Sequence, residues 1–220
     1  MYTFIRATII GVLIMVLTSC RDATGETITF YDVPLGCVAA PFGCGSLAKP
    51  SLLDLEKDPS IKEAWLNRPG TAIAIVWKGN EPTPTAVKRI FDANHISFIQ
   101  TGDTQSASYL ATFRNDKVWY RGAGVDQLSF EEASVIANRY VGVALDEHWI
   151  TQEEGNKIRP DMEKYFQTEL VKLRTVDELN SDIAKKFPED VWEIYTTHIG
   201  QERTTKLIEQ FGQWKREQHN

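Results

Sequence analysis

The chain of 220 residues lacks most of the patterns that announce a chemistry. It holds three cysteines and four histidines, and no histidine stands four residues from another. There is no His-Glu-x-x-His, no Gly-x-Ser-x-Gly elbow, no Walker-type phosphate loop and no dinucleotide fingerprint. Gly43-Cys44-Gly45 is too short and wrongly followed to be one. A basic excess is also missing: 24 Lys and Arg face 30 Asp and Glu, for a net charge of −6. Such a chain gains little from neutralising phosphates, which disfavours a nucleic-acid partner. The apolar run Ala7 to Leu17 is eleven residues long, too short to span about 30 Å of hydrocarbon as a helix. Apart from these absences, 42% hydrophobic and 25% charged residues make an ordinary folded composition.

At the N-terminus, Arg6 precedes the apolar run, and Leu17-Thr18-Ser19-Cys20 follows it. A short charged region, an uncharged core and small residues before a cysteine have the architecture of a cleavable export signal. The run 17–20 resembles the lipobox of bacterial lipoproteins. The resemblance implies that residues 1–19 are removed and that Cys20 becomes a lipid-bearing (palmitate) mature N-terminus, with the membrane as partner through that lipid. Arg21 stands where the resemblance would place Asp for inner-membrane retention. It therefore implies a cell-envelope protein held at the outer membrane, facing the periplasm.

Charge divides the remaining chain. Residues 20–125 hold 11 basic and 11 acidic side chains, and residues 126–220 hold 12 and 19. The step falls at the glycines of Arg121-Gly-Ala-Gly-Val125 and marks a subdomain boundary. The elements read as a tether over 20–26, a strand over Thr27 to Val33, and a Gly/Pro-rich loop carrying Cys37 and Cys44. A helix opened by Pro50 and a second helix from the capping box Ser60 to Glu63 come next. The nearly continuous apolar run Ala72 to Trp77 predicts a strand buried on both faces. An amphipathic helix over 85–94, a short strand over Ile96 to Ile99 and a β-hairpin over Ala107 to Tyr120 complete the first half. Ser129-x-x-Glu132, Thr151-x-x-Glu154, Thr175-x-x-Glu178 and Phe187-Pro188 each open a helix in the second half, and a last helix covers about 201–216.

This order of elements, with a cysteine pair between the first core strand and its helix, resembles thioredoxin-like domains. The sequence Thr112-Phe-Arg-Asn-Asp-Lys-Val118 followed by Gly124-Val-Asp-Gln-Leu-Ser129 is similar to their final hairpin and the entry to their last helix. The implied fold class is α/β. A thioredoxin-like mixed sheet with flanking helices would cover residues 27–145, and an all-α annex residues 146–220. The central strand Ala72 to Trp77 is expected to pair in parallel through a connecting helix.

Two readings of Cys37 and Cys44 stand side by side. After lipidation of Cys20 they are an even pair in an oxidising compartment, and six intervening residues in a Gly/Pro-rich loop let the sulfurs meet. As a redox pair they would exchange with a partner protein's thiols, a thiol-disulfide oxidoreductase whose Cys44 has its pKa lowered by a helix N-terminus. As a structural disulfide they would only staple the loop, and the acidic helical annex of a non-enzymatic lipoprotein would bind a protein partner. A metal on these thiols would need ligands from His95, His148, His198 or His219, none near them in sequence, so neither a metal nor a cofactor is expected. The adjacent carboxylates Glu131-Glu132, Glu153-Glu154 and Glu189-Asp190 point apart on a helix and read as helix-dipole charges. Trp192, Tyr195, Ile199, Phe211 and Trp214 read as the annex core.

Overall fold

A computed structural model describes residues 20–21, 25–35, 43–115, 117–179 and 182–217. The signal and lipobox residues 1–19 and Cys37 lie outside them. In chain order the elements are β1 (Cys20–Arg21), β2 (Thr27–Asp32), α1 (Cys44–Lys57), β3 (Ile61–Asn67) and β4 (Ala72–Trp77). They continue with α2 (Pro84–Ala93), β5 (Ile99–Gln100), α3 (Asp103–Thr112), β6 (Trp119–Arg121), α4 (Val125–Asp146) and α5 (Gln152–Glu169). The last three are α6 (Val176–Leu179), α7 (Asp182–Ile199) and α8 (Gln201–Glu217).

The protein is a mixed α/β molecule built on one sheet in the order β1-β2-β4-β3-β6, with β5 also paired to β2. As the apolar run predicts, β4 is central, and all six of its residues are buried. Its expected parallel pairing is corrected, because every described strand pair is antiparallel. β2 and β3 run the same way but are separated by β4, so α1 crosses over a strand that the chain has not yet made.

The physical reason lies in residues 61–67, expected to be a helix and found as a strand. Ser60 does not cap a helix. Its N–H and its hydroxyl both donate to Asp58 Oδ1, at 3.0 and 2.6 Å. A bulge between Ile61 and Glu63 breaks the two-residue alternation, so the buried residues Ile61, Ala64 and Leu66 begin with a helix-like spacing of three. A strand buried on both faces needs a neighbour at each edge, and β3 supplies one of them. Asn67 closes the β3–β4 turn, its Oδ1 accepting from the N–H of Thr71 and of Ala72 at 2.8 and 2.9 Å around Gly70, whose φ is +69°.

The predicted hairpin is corrected as well. Its first arm is α3, and β6 pairs with β3 instead. Tyr109, Leu110 and Phe113 come together on one side at helical spacing and cover the sheet face of Ile28, Phe30, Ala72, Ala74 and Val76. Trp119 joins them edge to face with Phe113, ring centroids 5.6 Å apart. α1 and α2 cover the other face, over Tyr31, Leu66, Ile73 and Ile75. The short strand is confined to Ile99–Gln100, while Ile96 is buried among the residues of that second core.

Pro50 and Pro188 stand inside α1 and α7 rather than opening them. Ser129 likewise lies within α4, which begins at Val125. The boxes at Thr151 and Thr175 form as predicted, with reciprocal bonds to Glu154 and Glu178. α4 joins two cores: Val125 and Leu128 pack beneath the sheet with α1, and Ala133, Ala137, Val141 and Ala144 pack against α5 and α7. Phe187, Val191 and Tyr195 fill that helical core, with Trp192 and Phe211 at its margin.

Candidate functional site

Gly43 caps α1, and Cys44 is its first residue, completely buried. The first N–H groups of a helix have no partner within it and carry its positive end. Here they meet a side chain from 88 residues away. Glu132, on the first half of α4, accepts from Cys44 N–H at 2.8 Å through Oε1 and from Gly45 N–H at 3.1 Å through Oε2. The Cys44 Sγ lies 2.7 Å from the same Oε1. Glu132 is 7% exposed, and burial, only partly offset by these N–H bonds and by Arg68, pushes its carboxyl up to about 7.

The close approach requires glycine on both sides of Cys44. A Cβ on Gly43 would fall 1.9 Å from Glu132 Oε2, and one on Gly45 would fall 2.8 Å from Ser129 Oγ. Two further contacts hold α1 to the short turn that follows α5: Ser46 Oγ donates to the Leu170 carbonyl at 3.2 Å, and Lys49 Nζ to the Val171 carbonyl at 2.8 Å. Lys49 is completely buried and pairs with Asp126 of α4. The helix that carries Cys44 is thus fastened to the sheet by its apolar face and to the helical core by its polar one.

Beside Gly43 a cleft of about 330 Å³ opens between the β3–β4 turn and α4. Gly43, Arg68, Pro69, Leu128, Glu131, Glu132, Val135 and Ile136 line it. Arg68 forms part of its wall, pairing with Glu131 and donating to the Tyr120 hydroxyl at 2.7 Å.

Of the residues singled out in the sequence, Cys44 stands at a helix N-terminus as expected, although that helix starts several residues earlier than Pro50 suggested. Cys37 and the side chain of Cys20 lie outside the described residues; the Cys20 backbone pairs with Ile28 at the sheet edge. Glu132 escaped the sequence reading because Ser129-x-x-Glu132 matches a capping box. Its carboxylate does cap a helix, but that helix is α1. The flanking glycines of Gly-Cys-Gly were the available signal, since they mark a place where another group approaches the backbone. Among the described residues no three His, Cys, Asp or Glu side chains converge as metal ligands, and no helix is long and apolar enough to cross a membrane. No protein-family model, curated protein or solved structure matches the chain.

Proposed function

We propose that the protein is a lipid-anchored envelope thiol-disulfide exchange protein, thioredoxin-like in the use of its cysteines, with Cys37 and Cys44 as the pair and Cys20 as the anchor. Cys44 is disulfide-bonded in this structure, and the 2.7 Å between its Sγ and a carboxyl pushed up to about 7 carries this reading for the reduced form. A thiol that must become a nucleophile needs a base with a pKa near the working pH.

Cys44 is buried, so Cys37 is the member that meets the partner. Its thiolate attacks one sulfur of a partner disulfide, whose S–S bond breaks, and the departing partner thiolate takes up a proton. Cys44 then passes its proton to Glu132 and attacks the Cys37 sulfur of the mixed disulfide. The second partner thiolate leaves and takes the proton from Glu132. The partner disulfide has become a dithiol and the Cys37/Cys44 dithiol a disulfide; run backwards, the same steps oxidise a partner. A dithiol reductant of the envelope restores the starting state in the forward direction.

Complete burial of Cys44 supports a second reading, in which the pair is a permanent staple and the annex binds a protein. Thiol quantification of the mature chain across a series of redox buffers separates the two. A working pair is expected to titrate well above about −300 mV, and a staple to resist reduction to below that potential. The anchor has its own test: Cys20→Ala is expected to abolish lipid labelling in cells, and persistent labelling would overturn the anchor assignment.

A further inference from the structure

The structure assigns a second site, one that needs neither cysteine, to a primary ammonium group carried on a short apolar body. A cavity of about 460 Å³ lies at the end of the sheet where β2 finishes and β4 and β5 begin, and this is within the size range of small-molecule sites. Asp32 supplies its charge. The strand register places this residue between Ala72 of β4 and Ile99 of β5, and its Oδ1 accepts from the Tyr109 hydroxyl at 3.1 Å. Among the described residues no Lys, Arg or His pairs with Asp32, and no donor reaches its Oδ2. Glu56, Glu63 and Glu154 are also half-buried, and each meets an arginine. A carboxylate partly withdrawn from water without a cation gains from one that a ligand brings.

The neighbours of Asp32 select the kind of cation. Burial and the adjacent Asp32 raise the Tyr109 phenol above its ordinary pKa, so its hydrogen stays on Asp32 and its oxygen is left as an acceptor. An ammonium is a compact charge with three donors, which Asp32 Oδ2, the Tyr109 oxygen and the Ser97 hydroxyl match in kind. A guanidinium fork engages both oxygens of a carboxylate, and Tyr109 already holds one. The walls are apolar and fixed. Phe98 lines the cavity and is held by Phe91 and Tyr31, ring centroids 4.9 and 5.8 Å away. At the start of β4, the Val33 N–H donates to the Thr71 carbonyl at 2.9 Å and Asn67 Nδ2 to the Thr71 hydroxyl at 3.0 Å. Ile99 is 74% exposed, more than any other large hydrophobic side chain among the described residues, and an apolar ligand body covers it.

Calorimetric titration of the full chain with phenethylamine, with phenethyl alcohol and with the acetylated amide of phenylalanyl-lysine tests the site. The amine is expected to bind about tenfold more tightly than the alcohol, the lower end of what a hydrogen bond to a charged group contributes. Asp32→Asn, which keeps an oxygen for Tyr109, is expected to bring that ratio close to one, and Ile99→Ala to weaken amine and alcohol alike. A circular dichroism melt checks that both variants fold, and the unsubstituted protein's own preference for amine over alcohol decides the matter if Asp32→Asn does not. Tighter binding of the peptide than of the amine identifies the ligand as a lysine side chain of a polypeptide, and the reverse identifies a free amine; both uphold the ammonium site. Equal affinities for amine and alcohol, a ratio unmoved by Asp32→Asn, or no binding of either ammonium compound at about 10 mM overturn it. Each of these outcomes leaves the exchange reading of the cysteines untouched.

Discussion

Gly43→Ala is expected to destabilise the protein by about 3 kcal/mol, at the upper end of what one added methyl costs in a packed interior. The reason is space, not backbone conformation. Gly43 has φ −65° and ψ 164°, values open to any residue. Its missing Cβ would lie 1.9 Å from Glu132 Oε2, 2.4 Å from Cδ and 2.9 Å from Cβ. Rotating the carboxylate away would strand the N–H groups of Cys44 and Gly45 and leave a buried acid without its donors, each at the cost of an unmade hydrogen bond. Thermal and urea unfolding of the variant measure the effect. A loss below about 0.5 kcal/mol would show that Glu132 can leave the helix end freely. Glu132→Ala supplies the check, since removing that carboxylate from a Gly43→Ala background should recover part of the loss, as coupled neighbours do.

The second large effect is a dependence of stability on pH. Glu132 is an acid whose folded pKa lies near 7, above the ordinary carboxyl value of 4.5 expected for the unfolded chain. Between those values the folded state holds a proton that the unfolded state has lost, so stability falls as pH rises through the window. The penalty is absent below about pH 4.5 and complete above about pH 7, and amounts to about 3 kcal/mol at roughly 1.4 kcal/mol per unit. In Glu132→Gln, which keeps an oxygen acceptor and cannot ionise, this slope should vanish. Denaturant unfolding of both proteins from pH 4.5 to 8 tests it, and parallel curves would remove Glu132 as the titrating group. Glu154 works in the opposite sense. The Arg203 guanidinium and the Thr151 N–H hold its carboxyl down to about 2, so the stability it lends is lost only as pH falls below the ordinary carboxyl range. Its pH window does not overlap that of Glu132.

The same carboxyl links the stability prediction to the proposed chemistry. A group that is uncomfortable as an anion at pH 7 takes a proton readily from a thiol beside it, and a thiol that has lost its proton gains from the positive end of α1. Glu132→Gln should therefore slow the second step of exchange more at neutral pH than at pH 9, where solvent base can replace it.

The hydrogen bonds of Ser46 and Lys49 to the Leu170 and Val171 carbonyls give the helical half a part in this site. A fully buried lysine is tolerated because its charge meets Asp126 and one of its remaining N–H groups meets a carbonyl. The bonds run from the first turns of α1 to the short turn after α5, so the chain around Cys44 is positioned from both sides.

The sequence by itself determined the features that depend on neighbours along the chain. The β-branched and apolar run Ala72 to Trp77 marked the central strand, and the boxes at Thr151 and Thr175 marked two helix starts. Each is decided within a few residues, by side-chain sterics or by a hydrogen bond between near neighbours. Only the tertiary structure decided which strands lie beside β4, and its demand for a neighbour on each edge drew residues 61–67 into the sheet. The bulge after Ile61 had hidden their alternation behind a spacing that also suits a helix. The covering of the second sheet face turned residues 103–112 into a helix for the same reason: an apolar face must be buried by whatever element can reach it. Glu132 belongs to this group above all. Ser-x-x-Glu satisfies a helix end wherever one is presented, and the packing of α4 on α1 alone determined that the end would be the one holding Cys44.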